Sequence, residues 1–310
     1  MYKLSAIVGP TAVGKTGIAI QVAQAIGAEI ISCDSMQVYR GMDIGTAKVT
    51  REEQAIVKHY LIDIVDVDSN YNVSEYQKAV QKIIAAVNER GKIPMLVGGT
   101  GLYYQSVVDN YQLFPIESVE SVREKYNNEI MLKGINYVYE KLKAIDPVHA
   151  EKISSQDQKR IVRALEVYEL TGKPFSLFQM KKENTYNLSA IGLYLERKIL
   201  YERIEQRVDE MFELGFIEEV ERLIKAGYNL NHKPMQALGY KQVFSYLHGH
   251  MTQQKMLEDI KRETRHYAKR QYTWFNRDKK INWFDISKYS DEKVLVGKIS
   301  ELLEGQLFGM

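Results

Sequence analysis

The pattern of apolar and polar residues changes character twice along the chain. Near the start, Leu4, Ala6, Ile7 and Val8 form a short, almost continuous apolar run, as in a strand buried on both faces. Ile18, Ala19, Val22, Ala23 and Ile26 then recur at helical spacing. A second strand is predicted over Glu29-Ile30-Ile31-Ser32-Cys33-Asp34 and a third over Tyr60-Leu61-Ile62-Asp63-Ile64-Val65-Asp66. A helix follows from about Val73 to Glu89, with Val80, Ile83, Ile84 and Val87 on one face, and Ile93-Pro94-Met95-Leu96-Val97 reads as another buried strand. Strands alternating with helices at this spacing predict an α/β core: a parallel sheet covered on both faces.

From about Pro115 to Leu188 the texture becomes charged and helix-periodic, as in Val119–Leu132, Val138–Ala144 and Lys159–Leu170. This is the pattern of a helical insertion. Ala190-Ile191-Gly192-Leu193-Tyr194-Leu195 returns to the sheet. A long helical region then runs to about Phe275, followed by a strand at Ile281–Phe284 and a closing helix near Glu292–Leu303. The expected organisation is a core of residues 1–115 and 189–310, with its C-terminal helices, interrupted by an insertion at 116–188. No internal repeat or low-complexity tract is present.

Composition narrows the classes. Over 310 residues, 45% hydrophobic and 26% charged content is that of a globular chain with a sizeable core. A net charge of +2 is too small to mark a nucleic-acid binder, so only local clustering could do so. Cys33 is the only cysteine, which rules out an intramolecular disulfide and a zinc site built on several cysteines. Met1-Tyr2-Lys3 leads straight into the first strand, and no apolar run reaches the roughly 18 residues of a membrane span. The expectation is a cytoplasmic protein without a membrane partner.

The strongest chemical signal is Gly9-Pro10-Thr11-Ala12-Val13-Gly14-Lys15-Thr16, which fits G-x-x-x-x-G-K-[ST] between a strand and a helix. In that context the glycines let backbone N–H groups turn inward, and the helix N-terminus adds partial positive charge. Lys15 is then placed as a cation for phosphate and the Thr16 hydroxyl as a Mg²⁺ ligand. The motif implies a phosphate or diphosphate without saying which molecule carries it.

Asp34, at a strand tip beside this loop, could ligate Mg²⁺, act as a general base or cap the next helix. The run Asp34–Lys48 is too polar and glycine-punctuated for a core element and reads as a functional loop. The strand at Ile93–Val97 ends in Gly98-Gly99-Thr100 rather than in the acid usual for a phosphate-loop hydrolase. The two glycines either admit something flat or bulky or form a tight turn, and Thr100 could hydrogen-bond a ligand. Arg203 and Arg207 share a helix face, as a solvated salt-bridge helix or as a clamp on diphosphate. Lys261, Arg265 and Lys269 fall at i, i+4 and i+8 among Tyr267, Tyr272, Trp274 and Phe275. That composition suits either RNA contact or a surface helix whose aromatics are core. His59 is read as structural.

Taken together, these blocks resemble the tRNA isopentenyl transferase (dimethylallyltransferase) family. The resemblance runs over nearly the whole chain, through Gly9–Thr16, Asp34–Lys48, Gly98–Tyr103, Asp157–Val167, Arg203–Arg207, Ala237–Gln242 and Thr264–Trp274. It implies a P-loop, nucleotide-kinase-like core with a helical insertion that grips the anticodon stem-loop of tRNA. The reaction implied moves a dimethylallyl group from dimethylallyl diphosphate to the exocyclic amino nitrogen of the adenine 3′ to the anticodon, in tRNAs reading codons that begin with U. Residue by residue, Gly9, Pro10, Thr11, Ala12, Val13, Gly14, Lys15 and Thr16 would hold the diphosphate with Mg²⁺ and Arg207, and Asp34 would take the amino proton. Ser35, Met36, Gln37 and Thr100 would line the base pocket. Arg123, Gln158, Lys159, Arg160, Ile161 and Val162 would touch tRNA. No zinc finger of the eukaryotic kind is present, so the bacterial form is expected, working as a monomer. Three other readings share parts of the signal: a prenyl transferase acting on free adenylate, a small-molecule kinase or NTPase, and an RNA-binding protein that kept only the fold.

Overall fold

In the computed structural model, residues 1–113, 119–179 and 185–309 are described. They form two compact units, Met1–Val108 with Thr185–Met310, and Asp109–Asn184. The division expected at 115/116 falls outside the described residues; the core unit closes at Val108 and resumes at Thr185.

The N-terminal part runs β1 (Lys3–Val8), α1 (Lys15–Ile26), β2 (Ala28–Ser32), α2 (Arg51–Ile56), β3 (His59–Tyr60), α3 (Val73–Glu89), β4 (Ile93–Gly98) and α4 (Gly101–Val108). The second unit comprises α5 (Glu120–Lys133), α6 (Ile135–Ile145), α7 (Pro147–Ala150) and α8 (Gln158–Thr171). The chain then returns through β5 (Asn187–Tyr194), α9 (Arg197–Glu213), α10 (Phe216–Lys225), α11 (Tyr240–Leu247), α12 (Gln253–Phe275), β6 (Ile281–Asp285) and α13 (Glu292–Phe308).

The six strands form one parallel sheet in the order β3-β2-β4-β1-β5-β6. Ser5 of β1 sits between Met95 of β4 and Ser189 of β5, so the first strand to be made is central. Alternation on β1 explains how both faces are covered. Leu4, Ala6 and Val8 join an apolar cluster with Tyr76, Val80, Ile84 and Tyr104 of α3 and α4. Ile7 joins the opposite one, with Ala19, Val22, Leu295 and Ile299 of α1 and α13. Ser5 stays buried by donating its hydroxyl to the Pro94 carbonyl at 3.1 Å. Of the strand expected over Tyr60–Asp66 only Tyr60 lies in the two-residue β3, because Leu61 and Asp63 take positive φ values of 62° and 54°. A pleated strand cannot continue through that conformation.

A third cluster, with Val38, Tyr39, Met42, Phe216, Val220, Tyr240, Met256 and Ile260, packs the Asp34–Lys48 loop against α10, α11 and α12. This loop contains no helix. It is held instead by a parallel bridge from Tyr39 to Val65 and by Lys48, whose ammonium donates to the Tyr39 carbonyl and pairs with Asp43 and Asp63.

The second unit has its own core of Tyr126, Val138, Leu142, Ile161, Val162 and Leu165. At its centre Glu166 is fully buried. It accepts hydrogen bonds from the Val119 N–H, from Arg123 through two nitrogens and from Arg163. Two expectations change as a result. Ile161 and Val162 are core residues, buried as the inner face of α8, so they do not present RNA-contacting side chains. Arg123 ties α5 to α8, so its guanidinium is engaged within the unit. Gln158, Lys159 and Arg160 remain exposed in the first turn of α8, with Gln158 donating to Asn127 and Arg160 paired with its cap, Asp157.

Candidate active site

The carboxyl ends of β1, β2 and β4 bring the phosphate loop, Asp34 and the Gly98–Thr100 turn together, as an open parallel sheet requires at its switch point. Gly14 caps α1 with φ at 94°, in the left-handed region open to glycine. Lys15, the first residue of the helix, folds back so that its ammonium donates to the Pro10 carbonyl at 2.6 Å. Arg207 reaches the loop from α9, donating to the Thr11 hydroxyl at 3.3 Å. Arg203, one turn earlier, stays exposed at the rim near Gly14. Of the paired arginines, Arg207 is therefore the one that enters the site.

Two cavities, of about 170 and 280 Å³, meet at this point. Thr11, Ala12, Asp34, Thr46, Arg207 and Tyr267 line both. Lys15, Thr16, Gln37 and Gln271 face the first. Ser35, Met36, Gly45, Met211, Phe216 and Leu238 face the second, which is the more apolar. Gly9 and Val13 support the loop from behind: Gly9 packs against the Leu193 backbone and Val13 is buried in the core.

The charges explain what such a site favours. Lys15 and Arg207 are two half-buried cations facing one carboxylate, Asp34. Loss of water, and then the neighbouring Arg207 charge, pull the Lys15 ammonium down to about 7, with Asp34 acting in the opposite direction. Burial likewise lowers Arg207. Desolvation raises Asp34 above the usual carboxylate range, although the Met36 N–H donates to it at 2.8 Å and both cations favour its charged form. An excess of cation with little water attracts a polyanion, and a carboxylate raised in this way is a better proton acceptor.

The turn after β4 answers its own question. A Cβ at Gly98 would lie 2.2 Å from the Cys33 carbonyl oxygen, and one at Gly99 would lie 2.2 Å from Nε2 of Gln271. What approaches these glycines is the protein itself. Thr100 accepts a hydrogen bond from the Ser35 N–H at 3.1 Å and touches the Tyr267 hydroxyl, so it braces two cavity-lining residues from behind. Gln37 plays a similar part, accepting from Ser32 and donating to the Ala47 carbonyl at 3.2 Å.

Gln271 was not visible as a site residue in the sequence. Buried on α12, it accepts from the Thr11 N–H at 2.8 Å and donates to the Gly99 carbonyl at 3.0 Å, joining the phosphate loop to the β4 turn. Its signal was there: Ile260, Thr264, Tyr267 and Gln271 follow i, i+4, i+7, i+11 spacing, a core-facing stripe containing polar residues. The basic residues of the same helix face elsewhere. Lys261 pairs with Asp209 and Arg265 with Glu205, both on α9.

The sequence profile of the family described as IPP transferase matches residues 37–278. A tRNA dimethylallyltransferase from Syntrophomonas wolfei is 59% identical over the full length of both chains. The crystal structure of the tRNA isopentenylpyrophosphate transferase from Bacillus halodurans aligns with a TM-score of 0.76 and 41% identity, covering 100% of this chain and 98% of that one. A eukaryotic dimethylallyltransferase acting on tRNA aligns with a TM-score of 0.79 at 27% identity, covering 99% of this chain and 85% of that one. The chain belongs to the IPP transferase family, among the tRNA dimethylallyltransferases.

Proposed function

We propose that the protein transfers a dimethylallyl group from dimethylallyl diphosphate to the exocyclic amino nitrogen of the adenine 3′-adjacent to the anticodon of tRNA. One observation carries this reading: Lys15 and Arg207 stand opposite Asp34 in one enclosed site at the mouth of an apolar cavity. The cations suit the leaving diphosphate and the carboxylate suits an amino proton.

The bond from the allylic carbon to the diphosphate oxygen breaks, and the bond from the amino nitrogen to that carbon forms. The displaced proton passes to Asp34. An adenine amino group is a weak nucleophile and an allylic carbon bears positive charge well, so stabilising the leaving group outweighs base strength. Lys15, Arg207 and the N-terminus of α1 supply that stabilisation. The base reaches the second cavity, past Ser35 and Met36, only after leaving its stack in the anticodon loop.

The residues fit a Mg²⁺ ion in the manner of phosphate-bound magnesium. Thr16 lines the cavity, and among the described residues no cluster of three His, Cys, Asp or Glu forms a dedicated cage. A hard cation that takes one hydroxyl, diphosphate oxygens and water matches this donor set and would neutralise leaving-group charge. We infer a monomer as the working unit. No helix among the described residues is long and apolar enough to cross a membrane, and a cytoplasmic site of action accords with a tRNA substrate.

Incubation with labelled dimethylallyl diphosphate, Mg²⁺ and unmodified tRNA reading UNN codons tests the reading. Label should appear in tRNA, with excess AMP competing poorly. Label in AMP instead, or in neither, would refute it.

A further inference from the structure

Glu219 lies on α10, outside the walls of both cavities, and is only 1% exposed. Among the described residues it forms no ion pair. Its carboxylate is satisfied by the loop that follows Asp34. Oε2 accepts from the Asp43 and Ile44 N–H groups at 3.0 and 2.7 Å, and Oε1 accepts from the Gly45 N–H at 3.3 Å and the Tyr240 hydroxyl at 2.6 Å. Three successive N–H groups aimed at one anion form a nest, a concavity that commonly holds a phosphate. Here a side chain of the protein fills it.

The adjoining geometry shows what the arrangement fixes. A Cβ at Gly45 would lie 2.3 Å from the Phe216 ring and 2.6 Å from the Tyr240 ring, so the loop is pressed directly onto α10 and α11. Gly45 lines the second cavity and Thr46 lines both. Gln37 and Lys48 hold the flanks of the same loop. The wall formed by Gly45 and Thr46 thus has one buried charge as its central anchor.

We propose that Glu219 is a positioning residue for the transfer. By clamping Asp43–Gly45 it sets the Gly45–Thr46 wall, and with it the distance at which the acceptor base meets Asp34. The proposal rests on the reaction assigned above. Its mark is selectivity: the phosphate loop is braced separately by Gln271 and Arg207, so donor binding should be spared.

The test compares wild type, Glu219→Ala, Glu219→Gln and Tyr240→Phe. It measures kcat and KM for tRNA, affinity for inorganic diphosphate with Mg²⁺, and Tm. Glu219→Ala should lower kcat about 30- to 100-fold, the scale of an ångström-sized misplacement, while diphosphate affinity stays within about twofold. Glu219→Gln should recover to within about fivefold of wild type, since its oxygen can still accept from Asp43 and Ile44 and its amide can donate to Tyr240, while only the 3.3 Å bond from the Gly45 N–H is lost. Tyr240→Phe removes the hydroxyl that holds Oε1 of Glu219 and so loosens the clamp; it should fall by several-fold and carries the test if Glu219→Ala does not fold. A kcat for Glu219→Ala within threefold of wild type overturns the proposal, and so does wild-type kcat in Tyr240→Phe should that variant carry the test. Parallel loss of diphosphate affinity, or Glu219→Gln no better than Glu219→Ala, overturns it as well. Wild-type protein that transfers nothing would refute the reaction itself, and this role with it.

Discussion

Lys15 is held at a cost that the fold does not recover until an anion arrives, and Lys15→Met should expose that cost. The ammonium's pKa falls from 10.5 to about 7, which corresponds to roughly 5 kcal/mol of unfavourable interaction with the charged form. Three things reduce what a substitution recovers: partial exposure of the side chain, loss of its bond to Pro10, and loss of a counter-charge for Asp34. A net gain of about 1 kcal/mol is expected, or roughly 2 °C in Tm for a chain of this size. The sign follows from linkage. Below pH 7 Lys15 is protonated in both the folded and the unfolded chain, and the cost is fully present. Between about 7 and 10.5 only the unfolded chain holds the proton, so wild-type stability rises with pH across that window. Calorimetric melting at pH 6 and pH 9.5 should therefore show Lys15→Met more stable than wild type at pH 6, with the advantage shrinking at pH 9.5. Inorganic diphosphate with Mg²⁺ should raise Tm in wild type and do so far less in the variant. A variant that melts lower at pH 6 for lack of charge, or gains as much from diphosphate as wild type, would refute this assignment of Lys15.

Four further outcomes follow from the geometry. Asp34→Asn should reduce transfer by about 100-fold or more with tRNA affinity retained, measured as single-turnover labelling against filter binding. Gln271→Leu should cost about 1–3 kcal/mol in denaturant unfolding by orphaning the Thr11 N–H and Gly99 carbonyl, and should raise KM for the diphosphate donor. Glu166→Ala should destabilise the insertion by about 3 kcal/mol, because Arg123 and Arg163 lose their buried partner. Those partners hold the Glu166 carboxyl below its ordinary range, so its contribution should be present above the normal carboxylate pKa and fade as pH falls through the lowered value, as followed by hydrogen exchange in α5 and α8. Arg265→Ala should leave the salt dependence of tRNA binding almost unchanged, because that guanidinium is committed to Glu205.

Much of the fold was legible because a parallel sheet buried on both faces writes continuous apolar runs, and β1, β2, β4 and β5 all carry them. The helices of the insertion were legible from their period. The short β3 was not: its apolar residues continue past Tyr60, but the backbone turns at Leu61 and Asp63, a conformation set by the packing of the Asp34–Lys48 loop. The phosphate loop and Asp34 announced themselves through local motif chemistry. Glu219 and Gln271 did not, since each is an ordinary polar residue on a helix, and only tertiary contact aims it at backbone groups more than 170 positions away. The same limit applies to Ile161, Val162 and Arg123. Ile161 and Val162 sit in a block that marks family resemblance, yet in three dimensions they build the inside of the second unit, and Arg123 is tied to it through Glu166.

The most direct measurement is a crystal structure with an unreactive thiolo analogue of dimethylallyl diphosphate, Mg²⁺ and an anticodon stem-loop RNA. The account predicts diphosphate oxygens within hydrogen-bond reach of Lys15 and Arg207, and the adenine amino group on the Asp34 carboxylate. Diphosphate bound away from the Gly9–Thr16 loop, or an adenine whose amino group faces away from Asp34, would contradict it.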